Sequence, residues 1–303
     1  LGAKLVHIPL KANGWQSIFF DAISILKSYK KYDKVLILGS SGAFILPFLS
    51  RYRKKFILNF GGLDWKRNKW NKFARYYLKI SEKVAVLYCG QIIADNQGIL
   101  EYIFYEYNKS SSLIAYGGDQ AVKAKIKEKK YKFQNTEYCM TVARIQKDNN
   151  IELILESFIS LPKNKIVIVG NWNKDQYGLD LKEKYKNYNN IYLLDAIYDL
   201  TELNILRSNS TIYIHAHSAG GTNPALVEAM NLGLPIFAYS SGFNEHTTHS
   251  KGRYFKSTKE LSTLIGNADK TELSNLGNKM KKIAIENYTW DIISKKYQNI
   301  INL

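Results

Sequence analysis

Residues 213–228 hold the densest chemical pattern in the chain: an apolar run through Tyr213 and Ile214, two histidines at His215 and His217, the loop Ser218-Ala219-Gly220-Gly221-Thr222, then Asn223-Pro224 and an apolar run to Glu228. The order reads as strand, glycine loop and helix. Asn223 can cap that helix, and Pro224 suits the first helical position, where a missing N–H costs nothing. Gly220 and Gly221 allow the backbone to approach a ligand closely. Free N–H groups and the helix dipole then favour an anion, most naturally a phosphate. Glu228 lies too deep for a capping box. Its oxygens suit a pair of sugar hydroxyls, the alternative being a solvated helix face.

A second strand-to-helix junction carries Arg144 and Lys147, followed by Asn149 and Asn150 as candidate caps. Ligands of open α/β sheets bind beyond the carboxyl ends of strands, and an Arg placed there can take two phosphate oxygens in parallel. Four more strand ends look like site material. Gly170-Asn171 follows Val169, Ala196-Ile197-Tyr198 follows Asp195, 242–248 follows a strand ending at Ala238, and Asn59-Phe60-Gly61-Gly62-Leu63-Asp64-Trp65 lies in the first half. His215 and His217 share one strand face, but no third ligand has convincing metal spacing, so no metal is expected. His217 reads as a sugar or phosphate contact. The Gly-x-Ser-x-Gly elbow, the Gly-x-Gly-x-x-Gly fingerprint and the P-loop are absent.

These groups need a frame. The apolar pattern alternates short continuous runs with longer helical ones, as strands do when both sheet faces are covered. Strands are expected at 5–8, 34–38, 55–59, 92–94 and 112–115, with helices at 16–29, 68–87 and 97–107. The second half repeats the rhythm, with strands at 137–142, 165–169, 191–194, 211–215 and 234–238. Helices there fall at 150–161, 179–186, 200–207 and 224–232, and 259–303 reads as helical throughout. The fold class is α/β, two Rossmann-like domains on parallel sheets, facing a cleft. The expected division is 1–133, 134–287 and a final helix, 288–303, that crosses back to the first domain. The lysine-rich run 117–136 reads as a linker or an exposed helix.

With 303 residues, two domains are favoured over one. Apolar residues make up 46% and charged ones 23%, a globular composition. Forty-three Lys and Arg against 26 Asp and Glu leave a net charge of +17, which favours an anionic partner. Two distant cysteines, Cys89 and Cys139, exclude a disulfide framework and a zinc ribbon and fit a reducing compartment. No apolar run approaches the roughly 18 residues of a membrane span. The basic, aromatic stretch 65–76 fits either a helix on an anionic membrane or an amphipathic helix with Trp70 and Phe73 packed inward. No nucleic-acid recognition module is evident, and nucleic acid is not an expected partner.

Taken together, the junctions resemble the nucleotide-sugar glycosyltransferases of family 4, with the two-Rossmann GT-B architecture, over nearly the whole chain. The closest likeness is to bacterial rhamnosyltransferases of capsule and cell-wall polysaccharide synthesis. It rests on Gly62-Leu63-Asp64-Trp65-Lys66-Arg67, Ala94-Asp95, Tyr116-Gly117-Gly118-Asp119, Ala143-Arg144-Ile145 with Asn149-Asn150, His217 to Pro224 with Leu226 to Met230, and Tyr288-Thr289-Trp290. The resemblance implies that Arg144 meets the donor diphosphate, Glu228 holds ribose hydroxyls and Ile197 lies by the base. The amides of Gly221, Thr222 and Asn223 approach the phosphate or donor sugar, with Gly220, Lys147 and Gly170 also on the donor. Asp64, His217 and Arg144 are the expected catalytic residues.

The implied reaction moves a sugar, rhamnose from dTDP-rhamnose, to a lipid-linked glycan, at the inner membrane face of the cytoplasm and without a cofactor. Where the family has an acid, position 220 is Gly220. Where it has a phosphate lysine, position 149 is Asn149, with Lys147 as its substitute. The chain opens at Leu1 directly on an apolar run, so a preceding strand and glycine loop are expected to be missing from it. The alternatives are a sugar-nucleotide epimerase on the same frame and a non-catalytic basic scaffold at the membrane.

Overall fold

The computed structural model describes residues 4–12, 14–67, 70–126 and 128–302. Chain contacts divide it into two compact units, Leu1–Ile114 with Tyr297–Leu303, and Ala115–Lys296. The change of unit after Ile114 comes earlier than the expected boundary at 133.

The first unit is built on a four-stranded parallel sheet in the order β1 (Val35–Leu38), β2 (Phe56–Phe60), β3 (Gln91–Ala94) and β4 (Ser112–Leu113). Every residue of β2 is buried, which is what a continuous Phe-Ile-Leu-Asn-Phe run requires. Parallel neighbours need crossovers. Those of this unit are a 3-10 segment, Ala43–Lys55, then α2 (Lys72–Tyr88) and α3 (Gln97–Tyr107); α1 (Gln16–Ser28) precedes β1. Pro47 lies inside the 3-10 segment, which kinks at Leu49. Residues 5–8 form no strand, contrary to expectation. Asn68, the expected start of α2, lies outside the described residues. The helix is capped at Asn71, whose side chain accepts from the Ala74 N–H.

The second unit has a six-stranded parallel sheet ordered β10-β9-β8-β5-β6-β7. The strands are β5 (Cys139–Val142), β6 (Ile166–Val169), β7 (Ile191–Leu194), β8 (Ile212–His215), β9 (Ile236–Tyr239) and β10 (Arg253–Phe255). Between them run α4 (Ile151–Ile159), α5 (Gln176–Tyr185), α6 (Leu200–Ser208), α7 (Pro224–Asn231) and α8 (Phe243–Thr247). After β10 come α9 (Thr258–Gly266), α10 (Lys270–Asn287) and α11 (Trp290–Asn302), three helices over the stretch expected to be helical, the last at the place of the expected final helix. The chain builds β5, β6 and β7 outward, returns to lay β8 beside β5, and then builds the other way. The order therefore reverses between β5 and β8.

The lysine-rich run is neither helix nor bare linker. Residues 121–126 are irregular, Lys127 lies outside the described residues, and Lys132–Asn135 closes a 3-10 turn. Phe133 and Tyr138 there join Met140, Val167, Val169, Leu203 and Leu206 in a core cluster.

Asn190, just before β7, is buried, and its amide reaches the carbonyls of Phe158 at 2.8 Å and of Leu161 and Asn164 at 3.1 Å. It ties the end of α4 to the start of β7. Asn190→Ala removes those three bonds, though Phe158 O and Leu161 O keep backbone partners, and should cost about 1–3 kcal/mol in a denaturant melt.

Candidate functional site

The strand order reverses between β5 and β8, and open α/β sheets hold ligands beyond the carboxyl ends of the strands at such a reversal. Side chains and backbone lace the loops that leave these strands into one surface. Ser218 donates through its N–H and its hydroxyl to the Asp148 carbonyl, at 3.0 and 2.9 Å. The Asn150 amide donates to Ala216 O at 2.9 Å. From β9, the Asn244 amide donates to His217 O at 3.0 Å and Tyr239 O at 2.7 Å.

Within the loop after β5, burial alternates. Ile145, Asp148 and Asn149 turn inward, whereas Arg144 and Lys147 are exposed. Asn149 donates to Arg144 O at 2.7 Å. Neither asparagine acts as the expected cap: Asn150 occupies the cap position of α4 in a left-handed conformation without a side-chain cap bond. Asn171 accepts from the Ile145 N–H at 3.0 Å. A Cβ on Gly170 would come within 2.5 Å of the Ala143 carbonyl. Gly170 therefore backs the Arg144 loop, and its open side is filled by protein. Ile197 is half-buried against the Phe133 cluster, beyond the end of β7.

The loop after β8 is shaped for close approach. Gly220 has φ +123°, a region that favours glycine, with open space where a Cβ would stand. Thr222 is buried. Asn223 caps α7, its Oδ1 accepting from the Ala225 N–H at 2.9 Å, with Pro224 in the first turn. Glu228 is not a solvated helix-face residue. Its side chain is 15% exposed, and Arg207 Nη2, on a side chain 4% exposed, approaches Oε2 at 2.5 Å. Gln120 Nε2 donates to Oε1 at 2.7 Å. Arg207 and Gln120 were missed in the sequence. The signal available was an arginine beside Leu203 and Leu206 on α6, a cation that burial obliges to find a carboxylate.

The two histidines stack, ring centroids 4.3 Å apart and nearly parallel. His215 is fully buried, and neither ring nitrogen has a hydrogen-bond partner. Burial first, and the His217 charge second, push its pKa well below the usual imidazole range. Among the described residues, no three His, Cys, Asp or Glu side chains gather as a metal site.

In the first unit, Asp64 begins a 3-10 turn after β2; its carboxylate is 54% exposed and lies 3.6 Å from Arg67 Nη1. Beside that turn, Lys79 lies 4.8 Å from the centroid of the Trp65 ring. Lys79 also lies 3.3 Å from the buried Glu82 carboxylate, which accepts from Tyr102 and Tyr107 as well. Burial pulls the Lys79 pKa down, but bonds to Glu106 and Tyr102 and the Glu82 charge outweigh it and raise it to about 12.

α2 buries Ala85 and Val86 but turns several large apolar side chains outward. Phe73 is 87% and Tyr76 71% exposed, with Ile80 and Leu87 also exposed. Together with Lys72 and Lys83 they fall within an arc of about 100° at 3.6 residues per turn. The inward packing of Phe73 therefore does not occur. Among the described residues, no helix is long and apolar enough to cross a membrane.

Residues 122–286 match the family glycosyl transferases group 1, and residues 16–119 match a domain of unknown function, DUF1972. An uncharacterized glycosyltransferase of Methanocaldococcus jannaschii is 26% identical over 252 residues, 76% of this chain and 62% of the relative. The chain thus spans about three-fifths of that relative's length. Sucrose-phosphate synthase from Thermosynechococcus elongatus superposes with TM-score 0.77 at 14% identity, over 98% of this chain and 84% of that one. Anabaena HepE in complex with UDP and glucose superposes with TM-score 0.73 at 13% identity, over 97% and 85%. At these identities the likeness is one of fold, two Rossmann-like α/β units of the GT-B type.

The buried His215 predicts a pH dependence. Its folded pKa is depressed, so below its unfolded value of about 6.5 the unfolded chain binds a proton that the folded chain does not. Stability is fully present above that value and falls as pH drops through it. Melting temperature should decline between about pH 7.5 and about pH 5, less steeply in His215→Phe. Parallel curves for the two proteins would contradict this.

Proposed function

The chain belongs to the glycosyl transferases group 1 family, and from that premise we propose that it moves a sugar from a nucleoside diphosphate sugar to a hydroxyl acceptor. The observation that carries this reading is the join at the reversal of the second sheet, where the loop bearing Arg144 and Lys147 is hydrogen-bonded, through the Asp148 carbonyl and Ser218, to the glycine loop that leads into α7.

Breaking the bond between the sugar C1 and the phosphate oxygen leaves an oxocarbenium-like carbon and a diphosphate. The developing negative charge is what the site neutralises. Arg144 takes two phosphate oxygens in parallel, and Lys147 adds a point charge. The amides of Gly221, Thr222 and Asn223 contribute dipoles already oriented toward the anion. Gly220 lets that loop come close. Glu228 holds the nucleoside sugar, Ile197 lies by the base, and His217 contacts the donor sugar or a phosphate. Asp64 is assigned to the acceptor. With retention at C1, the leaving phosphate accepts the proton of the acceptor hydroxyl as the new C–O bond forms. Gly170 acts from behind, as backing for Arg144.

The finer reading is a family 4 enzyme that transfers rhamnose from dTDP-rhamnose to a lipid-linked glycan during surface polysaccharide synthesis. It rests on the motif resemblance around His217–Pro224 and Gly62–Arg67. Peripheral binding to the inner membrane face is supported by charge and by α2. Residues 1–114 carry eighteen Lys and Arg against seven Asp and Glu. Aromatic side chains beside lysines suit the headgroup layer of an anionic membrane.

Calorimetric titration with nucleoside diphosphates tests the donor site. Arg144→Ala should weaken binding roughly 10- to 100-fold, the loss of a hydrogen-bonded charge on the diphosphate, and Lys147→Ala less. Unchanged affinity in Arg144→Ala contradicts the site. Product analysis with and without acceptor separates transfer from epimerisation. For the membrane face, Phe73→Ser with Ile80→Ser should abolish co-sedimentation with phosphatidylglycerol vesicles and leave nucleotide binding intact. Equal co-sedimentation of variant and parent removes the membrane assignment.

A further inference from the structure

Glu228 reaches a ligand with part of its hydrogen-bonding capacity already used. A carboxylate offers about four acceptor directions. Arg207 takes one from the interior, at 2.5 Å on Oε2. Gln120 takes another at 2.7 Å on Oε1. Gln120 is exposed, so it stands on the solvent side of the carboxylate, and on the donor reading a nucleotide reaches Glu228 from solvent.

The amide of Gln120 is fixed from behind. Trp290 Nε1 donates to Gln120 Oε1 at 2.7 Å. An indole N–H only donates, so the amide oxygen must face Trp290 and the NH2 must face Glu228. Turning the amide over breaks both bonds. Trp290 is itself held: its backbone N–H donates to Asp119 Oδ1 at 2.8 Å, and a Cβ on Gly117 would come within 2.6 Å of its ring. The next residue, Gly118, donates its N–H to Tyr288 O at 2.7 Å. A Cβ on Gly118 would meet the Val227 carbonyl at 2.4 Å, one residue before Glu228. Residues 117–120 are thus wedged between α7 and the start of α11, and Gln120 has one orientation.

We infer that Gln120 sets which nucleoside sugar the site accepts: its amide fills, on Glu228, a hydrogen-bonding direction that a second ribose hydroxyl would need, so that 2′-deoxyribonucleoside diphosphates bind in preference to their ribonucleoside counterparts. The inference rests on the reading that Glu228 meets the nucleoside sugar. A ribonucleotide brings two hydroxyls to the carboxylate. Two acceptor directions are left, but the Glu228 side chain is only 15% exposed, so a second hydroxyl crowds the outward part of the carboxylate that the clamped amide already occupies and loses affinity for it. A deoxyribonucleotide brings one hydroxyl and keeps the Gln120 bond.

The test uses pairs of ligands that differ in a single hydroxyl: 2′-deoxyUDP with UDP, and dTDP with ribothymidine 5′-diphosphate. Dissociation constants are measured by calorimetry on the parent chain, Gln120→Ala and Trp290→Phe. The parent should bind the deoxy member more tightly in both pairs. Gln120→Ala should shift the ratio about five- to tenfold toward the ribo member, the net size of one ordinary hydrogen bond. Trp290→Phe keeps a ring against Gly117 but removes the N–H that orients the amide, and should shift the ratio the same way by less. A purely structural role for Gln120 weakens both members of a pair equally and leaves the ratio unmoved, which overturns the inference. Equal affinity for the two members in the parent, or a preference for the ribo member, also overturns it. If no nucleotide binds the folded parent, the donor reading itself is wrong and the inference falls with it.

Discussion

The hydrogen bonds from Ser218 to the Asp148 carbonyl join loops seventy residues apart in sequence, and the rest of the site depends on that join. Parallel strands deliver their carboxyl ends to one edge of the sheet, but the loops that follow are free to diverge. Here they cannot. Ser218, Asn150 and Asn244 direct short polar side chains to backbone carbonyls of neighbouring loops. Each bond contributes only about 1 kcal/mol net. Their combined effect is geometric: Ile145 and Asn149 turn inward, and Arg144 and Lys147 are left at the surface of a loop tied to the one that leads into α7.

Behind that surface lies a charge pair with two duties. Arg207 is buried, and a buried guanidinium is tolerable only when paired. Glu228 supplies the partner and still shows part of its carboxylate outward. Removing Glu228 altogether would leave a buried cation uncompensated, so loss of function in such a variant mixes folding with binding. Gln120 and Trp290 complete the arrangement by holding the outer oxygen. The Glu228 carboxylate is therefore held in one orientation by its protein partners, which is how a site avoids the cost of ordering its own groups during binding.

The first unit obeys the same packing rules and departs from them on α2. Its inner face buries Ala85 and Val86 together with Glu82, a carboxylate satisfied by Lys79 and two tyrosines. Its outer face presents Phe73, Tyr76 and Ile80. A helix with aromatics outside and a buried ionic network inside is unusual for a water-facing surface, where contiguous apolar patches mark contact sites. The Lys79–Glu82 network also borders Trp65, so the turn that bears Asp64 is braced by the same side chains that fill the helix's inner face.

Much of the frame was legible in residue order, because local rules decide it. Continuous apolar runs of four or five residues located β1 to β3 and β5 to β9. Asn223-Pro224 marked the start of α7, since a cap and a first-turn proline act within one turn of chain. The Arg144 and Gly220–Asn223 junctions were visible for the same reason. Residues 5–8 were misread as a strand because apolar character alone does not provide a pairing partner. Strand order was not legible: nothing local says that β8 returns to β5, and only that return brings the two junctions together. The same holds for Arg207, Gln120 and Glu82, whose partners are distant in sequence and are selected by burial, and for Phe73, whose orientation depends on the register of a whole helix against its neighbours. Short-range chemistry is written in the sequence; which distant groups satisfy one another is decided only when packing excludes water from between them.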